Sequence, residues 1–326
     1  LGSWRGHRGV RRGTVRGRVS KPKRGKGSAP RRGGSKGPVR RGRGPSSGAP
    51  PRGRSDTTSG RGPSKGSAKT KGVGGEQVEG RQAVRELLLA GKRKVRELTV
   101  AGDDEGLQDL VDLALELRVA VHEVSGSALD RIARTSAPQG VVARAAPLEA
   151  VELLDLVTGE PSGDQAGAAG RGSGRPPFLV ALDGVTDPGN LGAVIRSAEC
   201  AGATGLVLPR HRAVNVTPAA AKAAAGAIEH LPIALVGGLP AAMQKLGEHG
   251  VWNVGLDAAG SQSLFDLDLA TESVMVVLGA EGHGLARLVR QRCDAIVSIP
   301  LAGRLDSLNV SAAAALACFE VARRRR

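Results

Sequence analysis

The stretch FLVALDGVTDPGNLGAVIRSAECAGATGLVLP, residues 178–209, decides the fold. FLVALD (178–183) is a short apolar run closed by Gly184 and reads as a buried strand. Leu191, Val194 and Ile195 then recur at helical spacing, and GLVLP (205–209) returns to strand. A strand–helix–strand unit with apolar strands predicts a parallel sheet covered on both faces. The alternation continues with a helix from Pro218, strand PIALV (232–236), a helix from Pro240 and strand VWNVGLD (251–257). Strand SVMVVLGA (273–280), a helix from about Leu285, strand AIVSIP (295–300) and a helix from about Ser311 complete it. The fold class is α/β with a mostly parallel sheet, and ligands of such sheets sit at the carboxyl ends of the strands.

Upstream, VEGRQAVRELLLAG places Val84, Leu87 and Leu88 on one helical face ending at Gly91, followed by strand VRELTV (95–100). A helix over 107–118, strand VAVHEV (119–124), a helix opening on a Ser127/Asp130 capping pattern and strand GVVARA (140–145) make a small α/β domain over 76–148. Residues 149–176 include TGEPSGDQAGAAGRGSGRPP and read as a flexible linker to the domain at 177–322. Residues 1–75 hold 22 Lys/Arg and one acid, Asp56, among Gly, Ser and Pro, and read as a disordered basic leader. The other 251 residues hold 25 Lys/Arg and 30 acids, so the net charge of +16 belongs to the leader. A cationic leader of this kind suits nucleic-acid phosphates, with a solubilising role as the alternative.

No run of about 18 apolar residues occurs, so no membrane span is expected. The Arg/Gly-rich start has no apolar stretch and predicts no secretory signal, while Leu1 in place of Met marks a fragment or a mis-called start. Cys200, Cys293 and Cys318 lack ligand spacing, which predicts a reducing cytoplasm and no metal site. They and His122, His230, His249 and His283 are given no catalytic role. Trp252, Phe178, Phe265 and Phe319 fall on predicted elements and are expected in the core. RNA contact is therefore expected from cations: Arg81, Arg85, Lys92, Arg93 and Lys94 in the small domain, and a basic tail, Arg323 to Arg326.

Three loops after strands are candidates for chemistry. In DPGNLGAVIRSA (187–198), Asn190 is placed to cap a helix that carries Arg196 opposite its apolar face. An ordinary capped helix with an exposed arginine is the alternative. In VVLGAEGHGL (276–285), three glycines surround Glu281, and Gly279 would let backbone approach a ligand, or merely turn the chain. The usual glycine signatures of dinucleotide and triphosphate sites are absent. In IPLAGRLDSLNVSAAAAL (299–316), Ser307, Asn309 and Ser311 precede an Ala-rich helix, more polar groups than one cap needs.

Together N-x-G-A-x-x-R-S-A, L-G-x-E-x-x-G and I-P-L-x-G…S-L-N-V-S resemble the three ordered motifs of the SpoU (TrmH-like) RNA 2′-O-ribose methyltransferases, members of the SPOUT class. The segment from VEGRQAVRELLLAG to APQGVVA is similar to the small RNA-binding domain of the RlmB-type 23S rRNA (guanosine-2′-O-)-methyltransferases. The resemblance covers about 77–322 and implies a trefoil-knotted catalytic domain, an exception to the rule that chains do not thread. It implies a homodimer that transfers a methyl from S-adenosylmethionine to a ribose hydroxyl of RNA, most closely a guanosine of 23S rRNA. A tRNA or thiostrepton-resistance-type rRNA enzyme, and a non-catalytic ribosome-assembly factor, are the alternatives. By resemblance Gly279, Ile299 and Leu308 line the cofactor crevice, and Arg196 of one subunit faces the methyl donor held mainly by the other. Arg196 is the proton acceptor or, since a guanidinium ordinarily stays protonated, a phosphate clamp. Asn190 and Glu281 orient it or the ribose, and Ser307 and Asn309 position ribose, phosphate or cofactor.

Overall fold

The structure, a computed structural model, describes residues 72–158, 175–210 and 216–326. The leader through residue 71 and residues 159–174 of the expected linker lie outside the described residues.

The small domain runs β1 (Gln77–Glu79), α1 (Arg81–Ala90), β2 (Val95–Val100), α2 (Glu105–Glu116), β3 (Ala120–Glu123), α3 (Gly126–Ile132) and β4 (Val141–Ala145). Its sheet has the order β1-β4-β2-β3, with β4 antiparallel to both neighbours and β2 parallel to β3. Val84, Leu87 and Leu88 of α1 and Leu107 and Leu110 of α2 close over Val78, Leu98, Val141 and Ala143. The helix expected from residue 107 starts two residues earlier, because the Asp104 carboxylate accepts from Leu107 N. Likewise α3 is capped by Ser125, whose Oγ accepts from Ala128 N at 3.3 Å, and not through the expected Ser127/Asp130 pattern.

The large domain adds α4 (Asp155–Thr158), β5 (Phe178–Asp183), α5 (Pro188–Cys200), β6 (Gly205–Pro209), α6 (Pro218–Ala223), β7 (Ile233–Val236), α7 (Leu239–Gly247) and β8 (Trp252–Leu256). It continues with β9 (Gln262–Ser263), β10 (Val274–Gly279), α8 (Arg287–Arg290), β11 (Ala295–Ser298) and α9 (Val310–Arg324). Its sheet has the order β7-β6-β5-β10-β8-β11-β9, and every adjacent pair is parallel. β5 shows why its sequence reads as unbroken apolar. Phe178, Val180 and Leu182 face the core under α5, α6 and α9, while Leu179 and Ala181 face the core under α4 and α7.

Several expectations change. Residues 149–158 are not a loose connector: Val151 N donates to Ile233 O at 2.9 Å, and Leu153 and Leu156 are buried in the large domain's core. The segment just before β1, expected in the leader, buries Val73 in the same domain. Among the aromatics Phe178 is core, but Trp252, Phe265 and Phe319 are 44%, 43% and 49% exposed. Phe319 lies on the side of α9 away from its buried Ala314, Ala317, Cys318 and Val321. Three of the four tail arginines have partners. Arg323 and Arg324 pair with Glu320, at 2.7 and 3.0 Å. Arg325 stacks over the Phe178 ring and donates to the carbonyls of Pro176, Pro177, Ala270 and Glu272.

Candidate active site

Parallel pairing puts the carboxyl ends of β5 and β10 side by side, with Gly279 in register with Asp183. After β5 the chain turns at Gly184 (φ 78°), and Asp187 caps α5 by accepting from Asn190 N at 2.7 Å. Asn190 therefore is not the cap. It sits one turn inside, which frees its amide to reach sideways. After β10, Gly284 N donates to Ala280 O at 2.9 Å and closes a tight loop with Glu281 near its tip. A Cβ on Gly279 would lie 2.6 Å from Leu285 N, so this glycine admits the loop's own returning backbone. The third segment reaches the same place because α9 packs against α5 through Val194, Ile195, Ala198, Val310 and Ala314.

Four side chains meet there. Asn309 Nδ2 donates to Glu281 Oε1 at 2.7 Å and to Asn190 Oδ1 at 3.0 Å. Asn190 Nδ2 donates to the same Glu281 oxygen at 3.2 Å, as does Val310 N at 3.3 Å. Asn309 Oδ1 meanwhile caps α9, accepting from Ser311 N at 2.8 Å and Ser311 Oγ at 2.5 Å. One residue thus serves as helix cap and as cross-link. Ser307 stands beside the cluster, with Oγ 3.4 Å from Asp306 Oδ1. Arg196 is not among them. It lies on the exposed side of α5, about 9 Å along the axis from Asn190, and makes no hydrogen bond or ion pair with a described residue.

The cluster borders a cavity of about 480 Å³, within the ordinary range for a small-molecule site. Gly279, Ile299 and Leu308 all line it, together with Glu281 and Ser307; Asn190, Arg196 and Asn309 do not. Two further residues line it: Asp257, which the sequence reading did not single out, and His283, which it gave no catalytic role. Asp257 follows β8, the other neighbour of β10, and the strand-end rule applied to VGLD would have found it. Burial pushes the Asp257 carboxyl up, but the Ala259 amide and the Arg290 guanidinium, 2.5 Å away, outweigh it and hold the carboxyl below its ordinary value.

Such a cavity suits a ligand that is part apolar and part cationic. Leu256, Leu278, Leu301 and Leu308 offer apolar wall, while Asp257, Glu281 and Asp306 offer carboxylates. Space above Gly282 is open, so a ligand could approach backbone there. A nucleoside bearing a sulfonium fits this donor set. Among the described residues no group of three or more His, Cys, Asp or Glu could hold a metal ion, and no helix is long and apolar enough to cross a membrane.

Comparison with known proteins points the same way. The family model described as the SpoU rRNA Methylase family matches residues 177–319, and that for RNA 2′-O ribose methyltransferase substrate binding matches 77–151. A Bacillus subtilis protein described as a TrmH family tRNA/rRNA methyltransferase is 37% identical over 251 residues, 77% of this chain and 96% of that one. An uncharacterized tRNA/rRNA methyltransferase of Mycobacterium marinum is 38% identical over 253 residues, 77% of this chain and 78% of that one. Among solved structures, the SpoU methyltransferase AviRb from Streptomyces viridochromogenes in complex with AdoMet superposes with a TM-score of 0.61 at 26% identity, covering 76% of this chain and 90% of that one. The AdoMet-bound rRNA methyltransferase from Sinorhizobium meliloti gives 0.60 at 27%, covering 76% and 86%.

Proposed function

This chain belongs to the SpoU family of RNA methyltransferases, with S-adenosylmethionine as methyl donor, and from that premise we propose that its target is the 2′-hydroxyl of a guanosine in 23S rRNA, methylated by a homodimer in the cytoplasm. The observation that carries the site assignment is the Glu281–Asn309–Asn190 cluster at the edge of the cavity. It joins residues 91 and 28 positions apart at the strand ends where the fold places ligands.

Bound S-adenosylmethionine supplies an electrophilic methyl on a cationic sulfur. Gly279, Ile299 and Leu308 would hold it in the cavity they line, where the carboxylates of Asp257 and Glu281 would favour its positive charge. The site would align a ribose hydroxyl for in-line attack on that methyl, the S–C electron pair staying on sulfur to give S-adenosylhomocysteine and the hydroxyl proton passing to solvent. Positioning supplies much of the acceleration in such a step. Arg196, exposed and without a described partner, acts as a clamp on the target's phosphate. Asn190 and Asn309 keep Glu281 fixed, and Ser307 contacts the ribose or cofactor.

Two features support the finer claims. The domain at 77–151 matches a model described as RNA 2′-O ribose methyltransferase substrate binding, and the presence of such a domain is our ground for favouring rRNA over tRNA. Leu316 and Phe319 on α9, with Phe265, leave an exposed apolar strip along the C-terminal half of that helix, a surface suited to a second copy. Because the Bacillus subtilis relative is described as acting on tRNA or rRNA, tRNA is the second reading. Transfer of labelled methyl to unmodified 23S rRNA and, separately, to bulk tRNA decides. Label at one ribose of 23S rRNA is expected; label on tRNA alone would overturn the target.

A further inference from the structure

Arg93, expected among the phosphate-binding cations, is buried, with 6% of its side chain exposed, and Glu229, its partner in the large domain, shows 1%. The guanidinium grips Glu229 in a fork, Nη2 to Oε1 at 2.5 Å and Nε to Oε2 at 2.9 Å. Its remaining nitrogen, Nη1, donates to Gly75 O and Ala146 O, both at 2.7 Å. Those carbonyls belong to the segments by which the chain enters and leaves the small domain, just before β1 and just after β4. One cation therefore holds the entry, the exit and the other domain together.

Backbone bonds continue the same junction. Val73 N donates to Leu148 O and Leu148 N to Gly74 O, each at 2.8 Å, so entry and exit are paired with one another. Gly75 N donates to Val216 O at 2.9 Å and Val151 N to Ile233 O at 2.9 Å, so both are also paired with the large domain. Alongside, Glu86 of α1 meets His230 at 3.0 Å and packs over Gly226, where φ is 89° and a Cβ would strike the Glu86 side chain.

We propose that the Arg93–Glu229 pair makes the small domain a rigid extension of the catalytic domain, and that Arg93 is a positioning residue that sets the distance between the RNA contacts of the one and the cavity of the other. A tethered domain would have to be ordered anew with each RNA, whereas a docked one presents both contacts at once. The pair also explains why two charges tolerate burial: each is matched bidentately and the remaining donors are used.

This inference rests on the reading of the chain as an RNA 2′-O-methyltransferase, and the test separates the two. In the full chain, Glu229→Gln keeps the side-chain size and leaves Arg93 its two carbonyls, while Arg93→Met removes all four of the Arg93 hydrogen bonds. With the RNA that wild type methylates, KM for RNA is expected to rise about tenfold or more in Glu229→Gln, with kcat and S-adenosylmethionine affinity held within about twofold. Amide exchange at residues 73, 75, 146, 148 and 151, whose N–H groups donate across the junction, is expected to quicken, and Arg93→Met should exceed Glu229→Gln in both readouts. Quickened exchange with an unchanged KM would overturn the positioning role, and unchanged exchange would overturn the docking itself. A lowered melting temperature with KM unchanged in the folded fraction would show a stabilising role alone and also overturn it. Should Arg93→Met fail to fold, Glu229→Gln alone decides. A wild type that methylates no RNA sinks the functional reading, while the exchange data still judge the docking.

Discussion

Asn309 Nδ2 sits 2.7 Å from Glu281 Oε1, so the residue that caps α9 also tethers the loop after β10. Substitutions at 309 can separate those two tasks. Asn309→Asp keeps the capping oxygen for Ser311 N but sets a second carboxylate against Glu281. Asn309→Ala loses both, and a lost cap costs about 1 kcal/mol. The expected order is that Asn309→Ala melts lower than Asn309→Asp, while both lose methylation by about 10²-fold. Thermal melts alongside single-turnover methyl transfer check it, and an active Asn309→Asp would count against the cluster.

Arg196 offers the opposite case. Because it is exposed and has no hydrogen bond or ion pair with a described residue, Arg196→Ala should leave stability within about 0.5 kcal/mol. Methyl transfer should nevertheless fall by at least about 10²-fold. Calorimetry with S-adenosylhomocysteine should find cofactor affinity unchanged; a large loss there would place Arg196 in the cofactor site of its own chain instead.

The two glycines of the second loop should differ in a telling way. Gly279→Ala puts a methyl into the backbone of Gly284 and Leu285 and must displace the loop, whereas Gly282→Ala enters open space and meets only the strain of φ 79°. That strain is about 1 kcal/mol. Cofactor affinity measured by calorimetry is expected to collapse in Gly279→Ala and to weaken modestly in Gly282→Ala.

Asp257 links the cavity to pH. Its carboxyl titrates below the ordinary 3.8 in the folded protein, so the unfolded chain takes up its proton first as pH falls. The stabilisation is complete above the unfolded value and disappears as pH drops through the folded one. The stability difference between wild type and Asp257→Asn should therefore be flat above about pH 5 and shrink below about pH 4. Denaturant unfolding across that range tests the sign, and a difference that grew on acidification would refute it.

Replacing Phe319 by Glu places a charge in the exposed apolar strip of α9 while leaving the buried face of the helix untouched. Light scattering is expected to report a dimer for wild type and a monomer for Phe319→Glu, with methylation reduced. A monomeric wild type would remove the shared-site picture.

The large domain was legible because its strands are continuous apolar runs: FLVALD and GLVLP match β5 and β6 residue for residue. What escaped was whatever depends on a partner far along the chain. β1 has three residues, too few to display a period, and exists because β4 pairs with it. Arg93 and Arg325 look like any surface cation until Glu229 and the carbonyls around Phe178 are in place. Asn190, Glu281, Asn309 and Ser307 were singled out by motif and do come together, yet Asp257 lies outside every motif and only sheet order brings it to the cavity.

The double duty of Asn309 also imposes a timetable. Its partner Asn190 is 119 residues earlier in the chain, so β5, α5 and β10 can be made, and can begin to pair, well before their last companion exists. During synthesis the half-built domain would hold the loop after β10 without its anchor and the side of α5 without α9. A chain interrupted before Ser307 would contain every strand of the sheet but lack the amide that joins Glu281 to Asn190, so that cross-link is the last part of the cluster to be made.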